Sequence, residues 1–107
     1  MVLHALRPIE LRERLAAGES LVLLDVREPD EHALGVLPGS LLLPLSELSL
    51  RVGELDPDQP IVCICHHGVR SASVAQALDR LGFDAVYNLV GGLDRWSREV
   101  DPAFPRY

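Results

Sequence analysis

Two short apolar runs break the usual alternation of a surface strand: Leu21-Val22-Leu23-Leu24-Asp25-Val26 and Ile61-Val62-Cys63-Ile64. A strand with one wet face alternates apolar and polar residues. An unbroken run of this length reads as a strand covered on both faces, as in a parallel sheet. Helix signals lie between such runs. Pro8 suits a first helical turn, with Glu10 and Glu13 near its positive end, Leu11 and Leu15 one turn apart, and Gly18 as a stop. Pro29-Asp30-Glu31-His32 marks a second helix start, and Ser46-Glu47-Leu48 a helical turn. Ser71 to Leu81 predicts a helix with Val74, Ala77, Leu78 and Leu81 on one face and Gly82 as its stop. Val2–Leu6, Ser40–Leu43 and Ala85–Val90 complete the strands, and Leu93–Val100 follows the Gly91-Gly92 break as a last helix. Strands alternating with helices predict an α/β fold, a parallel sheet with helices on both faces.

The 107 residues, 48% of them apolar, suffice for one core, and the whole chain, 1–107, reads as one domain. The formal net charge of −6 argues against nucleic acid as a partner, since that needs a basic face. An anionic substrate would have to be drawn in by a local positive site. Two cysteines two residues apart on one strand face are poorly placed to form a disulfide with each other, so a reducing, cytoplasmic setting is expected. Residues 1–7 lack the pattern of a signal peptide, and Leu41-Leu42-Leu43-Pro44-Leu45 is too short to span a bilayer, so no membrane partner is expected.

In the parallel-sheet reading, sites form at the carboxyl ends of strands. Cys65 stands there, opening the run Cys65-His66-His67-Gly68-Val69-Arg70-Ser71. A thiol becomes a good nucleophile only as the thiolate, which a helix N-terminus or a nearby cation favours. Backbone amides of residues 66–71 can curl around the sulfur as a nest, and Arg70 adds a full charge. Gly68 supplies the backbone freedom a tight loop demands. Four residues separate Cys65 from Arg70, where the cysteine phosphatases place five. The smaller ring suits a single extra sulfur, which points to a persulfide on Cys65.

Other residues carry blander readings. Cys63 lies inside an apolar strand as a small core residue. Asp25 and Arg27 read as an ion pair bracing the loop. Ser71 reads as a helix cap that also donates weakly to the persulfide. His66 and His67 either act in proton transfer or substrate binding, or merely fill positions whose amides matter. No metal is expected, because Cys63, Cys65, His66 and His67 are too close in sequence to wrap one ion. Trp96 reads as core packing.

These motifs together resemble the single-domain rhodanese-like sulfurtransferases. The Cys65–Ser71 loop is similar to that family's active-site loop. Leu23 to His32 resembles its first signature, and Gly35-Val36-Leu37-Pro38-Gly39-Ser40 its Gly-His-Ile-Pro-Gly-Ala turn, with Val36 where histidine is common. Gly82-Phe83, Val86-Tyr87-Asn88-Leu89, Gly91-Gly92 and Trp96 resemble its C-terminal signature, and residues 99–107 the ending of small bacterial members. The resemblance implies a five-stranded parallel sheet. It also implies transfer of a sulfane sulfur from a small anionic donor such as thiosulfate, through Cys65, to cyanide, a thiol or a protein acceptor, with no cofactor. Two alternatives stay open: a cysteine-based phosphatase or arsenate reductase, and a sulfur carrier or docking module with little small-molecule turnover.

Overall fold

The computed structural model describes residues 3–107. Val2, expected in the first strand, lies outside the described residues. Five strands, β1 (Leu3–Leu6), β2 (Val22–Asp25), β3 (Leu41–Leu42), β4 (Ile61–Ile64) and β5 (Val86–Leu89), form one sheet in the order β1-β5-β4-β2-β3. Every pairing is parallel, with Leu23 beside Val62 and Cys63 beside Asn88. The helices are α1 (Pro8–Ala16), α2 (Pro29–His32), α3 (Leu48–Arg51), α4 (Val69–Arg80) and α5 (Gly92–Glu99), with short 3₁₀ turns flanking α3. Among the described residues no helix is long and apolar enough to cross a membrane.

The unbroken apolar runs do what their composition predicts. Successive side chains of β2 and β4 enter opposite cores. Leu24, Val26, Ile61, Cys63 and Cys65 meet Val74, Ala75 and Leu78 of α4 on one face. Leu23, Val62 and Ile64 meet Leu11 of α1, Leu93 and Trp96 of α5, and Phe104 on the other. Helices therefore cover both faces, and each fully buried aliphatic side chain contributes about 1.5–3 kcal/mol.

The expected boundaries hold to within a residue or so except at two places: the helical turn expected at Ser46–Leu48 continues through α3 and a 3₁₀ turn to Glu54, and α4 starts early. That helix begins at Val69, two residues before the expected Ser71, with Gly68 as its N-cap. Ser71 is consequently not the cap; it lies inside the first turn and is buried. The buried face also turns. It runs through Ser71, Val74, Ala75 and Leu78, whereas Ala77 is only half-buried and Leu81 is 62% exposed. The face is centred where Ser71 points at the sheet, which carries Ala77 and Leu81 toward solvent. In α1 likewise, Leu11 is buried and Leu15 exposed.

Candidate active site

Cys65 follows the last residue of β4, and three residues carry the chain from it into α4. A helix leaves its first amides without partners, and an N-cap side chain normally accepts from one of them. Gly68 has no side chain to offer. The Cys65 sulfur takes that role: it accepts from the Gly68 amide at 3.1 Å and from the Ser71 amide at 3.4 Å. Local sequence permits this because Gly68 adopts φ +86° in the left-handed region. Packing forbids a larger residue there, since a Cβ on Gly68 would stand 2.9 Å from the Gly91 amide nitrogen and 3.0 Å from the Leu89 carbonyl oxygen.

The third group on the sulfur is a hydroxyl. Cys65 Sγ and Ser71 Oγ are 3.3 Å apart, with the thiol as donor. Ser71 Oγ in turn donates to Oδ1 of Asn88 at 2.6 Å, and Asn88 Nδ2 donates to the Gly68 carbonyl at 3.1 Å. Asn88 thus fixes both the hydroxyl and the loop backbone from β5. Linear spacing does not mark Asn88 as a site residue, because it lies 17 residues from Ser71. The available signal was a polar residue inside the otherwise apolar-ended strand Val86–Leu89. A crevice lined by His4, Ala5, Ala72, Gln76 and Asn88 reaches the loop machinery through the same asparagine.

A second helix holds the loop from outside. The Leu93 and Asp94 amides at the start of α5 donate to the carbonyls of Cys65 and His66, both at 2.9 Å. The approach is so close that a Cβ on Gly92 would stand 2.4 Å from each of those carbonyl oxygens. Cys65 itself is only 1% exposed. Its neighbour in sequence is different again: burial pushes the Cys63 thiol up to about 12, and both cysteines are free.

Arg70 reaches away from the loop to Glu31 of α2. Its Nη1 and Nη2 donate to Oε1 and Oε2 at 2.6 and 2.9 Å. Those bonds hold the Glu31 carboxyl at about 2 and the Arg70 guanidinium more firmly protonated than usual. The Tyr107 hydroxyl donates to the same carboxylate at 3.0 Å and accepts from Arg27 Nη1 at 3.0 Å. Arg27 is fully buried and paired with Asp25, its Nη2 donating to Oδ2 at 2.7 Å. It also donates to the carbonyls of Gly35 and Glu31, so every buried N–H direction finds an acceptor. Burial opposes its charge, but the bonds with Asp25 and Tyr107 outweigh that and raise its pKa. The Asp25–Arg27 pair therefore braces the α2 turn and the tail, and meets the loop through Tyr107 and Glu31.

His66 and His67 stack on one another with centroids 4.1 Å apart, and the Tyr107 ring stacks on His66 at 3.9 Å. Burial, and then the neighbouring imidazole of His67, lower the His66 pKa. One donor atom each from His66, His67 and Asp94 lie within 4.8 Å of one another, although Asp94 is already paired with Arg98. Val69 points to solvent.

A thiol capping a helix at the carboxyl end of a central parallel strand narrows the comparison with known proteins. A family model described as the rhodanese-like domain matches residues 7–99. The chain belongs to the rhodanese-like family. Among rhodanese-like relatives, a protein of Allochromatium vinosum named "Sulfurtransferase" is 38% identical over 92 residues, 86% of this chain and 86% of its own. A Bacillus subtilis protein named "Putative sulfur carrier protein YrkF" is 36% identical over 90 residues, 84% of this chain but 49% of its own. The crystal structure of a rhodanese-related protein from Thermoplasma volcanium superimposes with a TM-score of 0.82 at 34% identity, over 91% of this chain and 93% of that one. The five-stranded rhodanese-like fold read from the motifs is the fold observed.

Proposed function

We propose that this rhodanese-like chain is a sulfurtransferase that carries a sulfane sulfur as a persulfide on Cys65. The observation that supports this most is the convergence of the Gly68 and Ser71 amides and the Ser71 hydroxyl on Sγ. The two amides favour negative charge on sulfur at the positive end of α4, and the Ser71 hydroxyl, which accepts from the thiol here, can turn to donate once the sulfur is charged. The arrangement suits a group that is nucleophile in one half-reaction and leaving group in the next.

In the first half-reaction the Cys65 thiolate attacks the outer sulfur of a donor such as thiosulfate. The Sγ–S bond forms, the S–S bond of the donor breaks, and its electron pair leaves on sulfite. No general acid is needed for so stable an anion. In the second, cyanide or a thiolate attacks the outer sulfur. The bond to Sγ breaks and its electron pair returns to Cys65, ready for another cycle. Sulfur is both nucleophile and cargo, so the scheme calls for no metal or organic cofactor. Ser71 switches its hydroxyl between Asn88 and the charged sulfur, and Asn88 keeps the loop carbonyl of Gly68 turned away.

Intact-mass measurement after incubation with thiosulfate tests the reading. One added sulfur atom, removable by cyanide or dithiothreitol and absent from Cys65→Ser, is the expected result. Failure to load from thiosulfate and from hydropersulfides alike would sink it. The name borne by the Bacillus subtilis relative favours a second reading, a carrier that passes sulfur between proteins. That reading predicts a Cys65 persulfide that turns over slowly with cyanide yet transfers to a protein thiol.

A further inference from the structure

The loop cation is already engaged. Both terminal nitrogens of Arg70 donate to the two carboxylate oxygens of Glu31, the fork geometry in which a guanidinium binds an anion most strongly. The Tyr107 hydroxyl adds a third donor to that carboxylate, and Arg27 holds the hydroxyl in place. The sulfonate end of thiosulfate presents a guanidinium with the same kind of oxygen pair that a carboxylate does. Donor and Glu31 therefore compete for one fork. Asp94 beside His66 and His67 adds another negative charge near the loop, and the chain as a whole carries a net charge of −6.

We propose that Glu31 is a specificity-determining residue: it competes with the oxyanion end of a sulfur donor for Arg70 and biases loading away from thiosulfate, toward donors whose leaving group does not need that fork. The hydropersulfide of a simple thiol is such a donor. Its outer sulfur joins Sγ, its S–S bond breaks, and the electron pair leaves on the thiolate, with no sulfonate to hold. The inference rests on the sulfurtransferase reading for its meaning, but its core claim concerns anion binding and can be measured without turnover.

Two measurements decide it. In the first, thiosulfate is titrated calorimetrically into Cys65→Ser and into Cys65→Ser/Glu31→Gln. Losing the competing charge-assisted contact should tighten binding about tenfold. Equal affinity in the two proteins overturns the proposal, whatever the protein's activity. In the second, loading of the wild type and of Glu31→Gln is followed by intact mass with thiosulfate and with the hydropersulfide of 2-mercaptoethanol. The ratio of thiosulfate to hydropersulfide rates should rise about tenfold in the variant. An unchanged ratio overturns the proposal. A wild type that loads from neither donor sinks the persulfide reading instead, and the binding comparison still decides the role of Glu31. Glu31→Asp keeps the charge but shortens the side chain by one methylene and breaks the paired contact with Arg70. It should move both measurements in the same direction by a smaller factor, and it serves if Glu31→Gln does not fold. A Glu31→Asp protein with weaker thiosulfate binding than its parent would also count against the proposal.

Discussion

Cys63 and Cys65 sit two residues apart on the same strand face, both almost without solvent contact, yet they should behave as different functional groups. Cys63 is enclosed by aliphatic side chains, and burial pushes its thiol up to about 12. Cys65 meets two amides and a hydroxyl instead. Iodoacetamide at pH 8 should label Cys65 in the native protein and reach Cys63 only after unfolding, as peptide mapping by mass spectrometry would show. Comparable native labelling of Cys63 would mean that β4 opens in the folded state. At this scale Cys65, Gly68 and Arg70 were legible in the sequence because one short loop contains them. Asn88, Glu31 and Tyr107 were not. Glu31 lies 39 residues from Arg70 and 76 from Tyr107, and nothing in a linear pattern says which polar residues topology brings together.

Among the elements, α4 shows where local signals mislead. A serine before an apolar-periodic stretch is the usual mark of an N-cap. Here the cap position falls on Gly68 and the accepting atom comes from a cysteine three residues earlier, so the helix begins two residues sooner than Ser71 suggests. The strands were easier to read, since β2 and β4 are continuous apolar runs that only a two-sided core explains. The α5 terminus carries a sharper constraint than its Gly-Gly sequence discloses. Gly92 has φ +61°, and a Cβ there would collide with the carbonyls of Cys65 and His66. Gly92→Ala should therefore cost about 2–4 kcal/mol in urea unfolding, through strain and lost α5–loop bonds. Gly18, also at positive φ but with open space around it, should cost about 1 kcal/mol as alanine. Equal losses at the two sites would refute the packing argument.

For the molecule as a whole, the tail ties distant parts together. Phe104 is buried in the α1–α5 core, a Cβ on Gly35 would clash with Pro105, and Tyr107 reaches Arg27, Glu31 and His66. This network makes stability depend on acid. The folded Glu31 carboxyl ionises at about 2, below its ordinary 4.5, so the folded state holds fewer protons there than the unfolded chain. Its contribution is complete above about pH 4.5 and disappears as pH falls toward 2. Arg70 is 35% exposed, and solvent screening limits the pair to about 1 kcal/mol. The gap in unfolding free energy between wild type and Glu31→Gln, followed by the emission of Trp96, should stand near that value at pH 7 and close by pH 2. A gap independent of pH would remove the ion pair as its cause.

The loop after β4 is also a spacer of fixed size. The Gly68 and Ser71 amides turn inward to the sulfur and the first two carbonyls turn outward to the amides of α5, so two helix ends set its bore from opposite sides. Little slack remains on the α5 side, where Gly92 leaves no room even for a Cβ beside the Cys65 and His66 carbonyls, and Leu93 and Trp96 anchor that helix in the core. The packing of α5 on the sheet therefore fixes the size of the Cys65 loop as firmly as the loop's own residues do.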